Sequence, residues 1–220
     1  MKIIKEKGSG KAKLVVYTKE YSSWAEKVYD LYNDESRIVL IDVGSITEDN
    51  WELEYNNFYE LLVNNKLKQG AIISFGQACT LVQNLALKEY KIARPLILVD
   101  PTTRGNPSRF SKIIDKIESK LPLGLPLRLK MKGFDSRPYL QRIRFPINLV
   151  LSSKCNAYQR SEVKEFLGRA PTVFLKDLSE SSEFERDLFQ EINDFLLVPL
   201  KCSQKNKNKK IKKDVDKKPL

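Results

Sequence analysis

The sequence predicts an α/β fold in which a mostly parallel central sheet is flanked by helices on both faces. Two observations predict it. Short runs of aliphatic and β-branched residues alternate along the chain with amphipathic stretches, the pattern of strands covered on both sides by the helices that connect them. The chain is also long enough, at 220 residues with 41% hydrophobic content, to close one sizeable core around such a sheet.

The elements follow in order. Residues 13–17, KLVVY, form the first apolar run, short and β-branched as a buried strand should be. SSWAEKVYDLY (22–32) reads as a helix, with Ser22 or Ser23 as cap and Trp24, Val28 and Leu31 on one face. RIVLIDV (37–43) is the second strand, stopped by Gly44. WELEYNNFYELLVNNK (51–66) is a helix with Phe58, Leu61 and Leu62 inward. AIISF (71–75) is a strand leading into a helix over 77–90, and RPLILVD (94–100) is a strand that Pro101 ends. The rhythm resumes with a strand at 147–153, a helix near 160–167, a strand at 172–176 and a helix at 183–198. The last has the clearest apolar face, made by Phe184, Leu188, Ile192, Phe195 and Leu196.

Residues 101–144 interrupt the alternation. PSRFSKIIDKIESKL reads as a helix, after which Pro122, Gly124, Pro126 and Gly133 break every period. From Lys201 the chain is rich in Lys and Asn with almost no apolar residues, a composition that predicts disorder. The expected organisation is one domain over 1–200, with 101–144 as a basic insert, and a tail over 201–220.

Composition excludes much chemistry. There is no histidine, so the commonest general base, metal ligand and neutral-pH proton switch is missing. Cys79, Cys155 and Cys202 include no CxxC pair and suggest neither a disulfide framework nor a zinc site. No cofactor and no metal are expected. KGSGKAK (7–13) has the glycines of a phosphate loop but precedes a strand instead of opening a helix, so it reads as a flexible lead-in or a hairpin turn. No apolar run approaches a bilayer span and the first residues are charged; the expectation is a cytoplasmic protein. The net charge of +11 is concentrated. Residues 104–144 hold eleven Lys or Arg against three acids, and 201–220 hold nine Lys against two Asp.

SFGQA (74–78) carries the functional question. A strand runs directly into a helix here, with small residues two before and two after Gly76. This spacing resembles the G-x-S-x-G elbow of the α/β-hydrolase family, whose tight turn admits only small flanks. The order of elements before and after is similar too, so the resemblance covers about residues 12–198. It implies a hydrolase fold with the insert as a small cap.

The resemblance also locates the catalytic positions, and they are altered. Gly76 stands where the nucleophile would be, between Phe75 and Gln77. The acid position falls near Asn156, an amide, and the histidine position falls within DLSESSEF (177–184), which has none. The turn that would supply an oxyanion donor reads Tyr17-Thr18. Three weaker candidates remain: Ser74 as a nucleophile in a shifted register, a lysine as its base, and Asp100 as a residual acid at a strand end.

The insert alternates Arg128, Lys130, Lys132, Arg137, Arg142 and Arg144 with apolar residues. Cations above the elbow would favour a small anionic ligand. The reading is therefore a hydrolase-fold protein without a working triad that binds a ligand or a protein partner. Two alternatives stand beside it. One is an esterase- or thioesterase-like enzyme with rebuilt catalytic residues. The other is a peripheral adaptor that contacts nucleic acid or anionic lipid through the insert and the Lys201–Lys218 tail.

Overall fold

Seven strands form one sheet in the order β1-β3-β2-β4-β5-β6-β7, seen in a computed structural model. It describes residues 1–32, 37–47, 49–67, 70–89, 93–103, 134–143 and 145–197. The strands are β1 (Lys2–Lys7), β2 (Lys13–Tyr17), β3 (Ile38–Asp42), β4 (Gly70–Phe75), β5 (Ala93–Val99), β6 (Ile147–Leu151) and β7 (Val173–Asp177). The helices are α1 (Ser22–Leu31), α2 (Trp51–Asn64), α3 (Ala78–Lys88), α4 (Ala157–Arg169) and α5 (Phe184–Leu197). Pairings from β3 through β7 are all parallel, so the expected sheet is present.

Period-2 alternation assigns each strand residue to one of two cores. Leu14, Val39, Ile72, Leu96 and Leu149 face the layer that holds α2, α3 and α4. Val15, Leu40, Ile73, Ile97 and Val150 face the layer of α1 and α5. Among the described residues, the apolar side chains of β2 through β6 are essentially dry. α3 is buried on nearly all sides from Ala78 to Ala86, as expected of a helix with both sheet and neighbours against it.

The structure departs from the expectations at several places. The sequence pattern predicts no element over residues 2–7, yet KIIKEK pairs antiparallel with β3 at the sheet's edge. An edge strand half exposed to water needs no apolar run, so its charges hid it. The glycine turn after it is not a hairpin, because β3 lies between β1 and β2. α1 is capped at Tyr21 without a side-chain bond, so neither serine caps it, and Leu31 points outward with 45% exposure. α4 begins at Ala157, three residues early, because Asn156 and Gln159 form a reciprocal capping box. The proposed helix in 107–121, the residues Arg128, Lys130, Lys132 and Arg144, and the 201–220 tail lie outside the described residues.

Candidate functional site

The corner between β4 and α3 has the shape that SFGQA suggests. Gly76 follows the strand with φ of +55°, and the helix starts two residues later at Ala78. Its N–H donates to the Val99 carbonyl at 2.9 Å, and its own carbonyl accepts from Cys79 N–H at 3.2 Å. Left-handed backbone at this point favours glycine strongly. Gln77, half-buried, opens α3 and offers its carbonyl to Thr80 at 2.8 Å.

Space, as well as backbone, reserves position 76 for glycine. A Cβ placed there would lie 2.4 Å from Cε2 of Tyr21, well inside contact distance. The turn after β2 makes this approach. Tyr21 N–H donates to the Thr18 carbonyl at 2.9 Å, closing a short 3-10 turn over Lys19–Tyr21. That turn swings the phenol ring back over the elbow. The Tyr17-Thr18 turn therefore delivers a ring to the place that a side chain at position 76 would occupy.

Tyr21 belongs to an aromatic plug. Its ring centroid is 5.9 Å from Phe75 and 5.8 Å from Trp24, and Trp24 lies 4.3 Å from Phe184. The Lys154 ammonium sits 4.2 Å above the Trp24 ring and donates to the Glu20 carbonyl, closing the outside of the plug with a cation–π contact. Phe184, together with buried Leu178, comes from the segment after β7 where a histidine would be expected. Sequence reading passed over Tyr21; its only signal was an aromatic residue at the foot of the turn that follows β2.

Asp100 lies beneath this plug, fully buried and itself in left-handed backbone with φ of +47°. Ser152 donates to its carboxyl twice, from N–H at 2.8 Å and from the hydroxyl. Tyr21 Oη donates at 3.3 Å. Gln159 Nε2 donates to the Asp100 carbonyl at 2.9 Å. Burial raises the Asp100 carboxyl above the ordinary carboxylate range, against the opposing pull of the Ser152 and Tyr21 hydrogen bonds. Burial likewise holds the Tyr21 phenol far above its usual range, helped by Asp100. The Cys155 thiol, half-buried beside the same carboxyl, is pushed up to about 12 by burial and then by Asp100.

The other candidates are dispersed. Ser74 lies inside β4, 0% exposed, and its hydroxyl has no hydrogen-bond partner among the described residues. Its alternation places it toward α3, where its carbonyl accepts from Cys79 Sγ. Asn156 is exposed and spends its side chain on the N–H of Gln159 at 2.9 Å. Arg137 is clamped by Asp135 through contacts of 2.6–3.1 Å, and Arg142 stacks over Tyr139 at 5.0 Å. Among the described residues, the contacts of Arg137 and Arg142 tie them to Asp135 and Tyr139 and not to the elbow.

A second polar cluster holds the ends of the insert. Gln83 of α3 donates to the Thr102 carbonyl at 2.7 Å and accepts from Ser136 Oγ at 2.5 Å. Ser136 N–H donates to the Thr103 carbonyl at 2.9 Å. Glu162 of α4 accepts from both N–H and hydroxyl of Thr103. Phe134 stacks on Trp51 at 5.0 Å with planes 8° apart. The insert therefore leaves and rejoins the domain at one buried point.

The solved structures that resemble this chain share its architecture. An enol-lactonase from Burkholderia xenovorans aligns with a TM-score of 0.64 at 12% identity, over 87% of this chain and 95% of the lactonase. An α/β-hydrolase enzyme from a deep-sea metagenome of the Medee basin aligns with a TM-score of 0.61 at 12% identity, over 89% and 92% of the two chains. A hydrolase from Pseudomonas aeruginosa gives 0.60 at 14% identity, over 87% and 92%. Identities this low establish a common fold and no common activity. No protein-family model matches the sequence, and no curated protein matches it. The fold is α/β-hydrolase-like.

Proposed function

We propose that this chain is a non-catalytic protein of the hydrolase fold, one that binds a ligand or partner instead of cleaving bonds. One observation carries the reading: the elbow residue is a glycine whose missing side chain is replaced in space by the Tyr21 ring. A serine at this corner would need both an open site and a base, and the chain contains no histidine. The groups nearest the corner are poor substitutes. Tyr21 and Cys155 hold their protons far above neutral pH, so neither supplies an anionic nucleophile. Asp100 is committed to Ser152 and Tyr21.

The ligand class proposed is a small anion, or an acidic surface of a partner, met by the insert. The charge supports it: eleven cations against three acids over 104–144 would draw anionic groups in a salt-dependent way.

The test is a broad panel of ester, thioester and lactone substrates offered to the purified full-length protein. No turnover above buffer is expected. Turnover that disappears in Ser74→Ala or Asp100→Asn would overturn the reading in favour of a hydrolase with rebuilt chemistry.

A further inference from the structure

The two edges of the sheet are built differently, and the difference points to a partner. At one edge β1 carries Lys2, Lys5, Glu6 and Lys7, and its pairing with β3 is interrupted between Ile3 and Lys5. Charges and an irregular register are the usual means of keeping an edge from pairing with another chain. At the opposite edge β7 reads VFLKD in regular register with β6. Phe174 and Leu175 are 46% and 44% exposed, on opposite faces of the strand. Each flanking helix adds an exposed leucine, Leu167 on α4 and Leu197 on α5.

The backbone of β7 is ready to pair. The Thr172 carbonyl and the Leu178 N–H bond to β6. Residues alternate in direction along a parallel strand, so the N–H and C=O groups of Val173, Leu175 and Asp177 point away from the sheet. From these placements we infer that β7 pairs antiparallel with β7 of a second copy across a two-fold axis at Leu175, joining the two sheets into one.

The side chains select this register. About an axis at Leu175, leucine faces leucine, Lys176 faces the partner copy's aromatic ring at position 174, and Asp177 faces an aliphatic side chain at 173. No like charges stand directly opposite one another, and all five strand residues are paired, with the outward groups exchanging hydrogen bonds. An axis at Lys176 would instead place two ammonium groups face to face, which costs stability. A closed two-fold pair covers β7 of both copies and leaves only the charged, irregular β1 edges, so assembly stops at the dimer.

The test is sedimentation of the full chain across a range of concentrations, beside three variants. Wild type is expected to dimerise. Leu175→Lys, at a surface position on the axis, is expected to weaken the dimer at least about tenfold with circular dichroism unchanged. Lys2→Glu, at the other edge, is expected to leave it intact. Leu175→Cys is expected to give a cross-linked homodimer on mild oxidation, since directly opposed residues in this pairing lie about 5.5 Å apart at Cα. A wild type that stays monomeric, whether because another segment covers β7 or because nothing does, overturns the inference. So does a dimer indifferent to Leu175→Lys, or one that Leu175→Cys does not cross-link.

Discussion

The elbow and the root of the insert lie at neighbouring strand ends, both buried, and they are held by different physics. At the elbow the space a side chain at position 76 would use is filled by the Tyr21 ring, with Phe75 and Trp24 against it. At the root, Gln83, Thr103, Ser136 and Glu162 form directed hydrogen bonds, two of them to a buried carboxylate side chain. Shape governs the first and donor–acceptor geometry the second. The contrast teaches that the strand-to-helix corner is closed by the shape of a ring, while a polar clamp fixes where the insert begins and ends.

Three measurements would break or sharpen that contrast. The largest effect is expected from Gly76→Ser. It forces a Cβ into the Tyr21 ring and a serine into left-handed backbone, for a combined loss of about 4 kcal/mol in urea unfolding. Tyr21→Ala in the same chain should relieve part of that overlap, giving a coupling of about 1–3 kcal/mol in a double-mutant cycle. Strict additivity would mean that the ring does not occupy the corner.

Next comes Glu162→Leu at the clamp. It orphans the buried N–H and hydroxyl of Thr103, and a loss of about 2–3 kcal/mol is expected. A neutral result would show that shape, not hydrogen bonding, holds this region too.

The smallest effect is a pH slope. The folded-state value of Asp100 is raised by burial, so the folded protein keeps this proton to higher pH than the unfolded chain does. Its contribution to stability therefore falls as pH rises from the ordinary carboxylate value of about 4 through the raised folded value, and is level above it. Asp100→Asn should remove that decline from the urea midpoints. A variant with the same pH profile as wild type would show that Asp100 titrates normally.

Sheet pairing beyond single elements also separates what local patterning reveals from what it hides. The apolar runs of β2 through β6 were legible because burial on both faces demands them. β1 was not, since an edge strand shares its Lys-rich composition with a loop. Within the site, Gly76 was legible from spacing. Tyr21 was not, because nothing in a sequence says that a ring following β2 will reach the end of β4. For Ser74 and Asn156, spacing alone says nothing of their surroundings. Only packing shows the first sealed in a strand and the second spent on a helix cap.

What the sequence determined alone is periodicity and chemistry: an alternating α/β chain, an elbow with small flanks, no histidine, and cations gathered in one insert and one tail. Those follow from local rules, because burial and backbone sterics act on neighbours in the chain. The tertiary structure decided what fills the corner, which hydrogen bonds hold the insert, and which sheet edge is left apolar. Each depends on residues far apart in sequence meeting in space, as Tyr21 meets Gly76 and Asp100 meets Ser152, and no local pattern encodes such meetings.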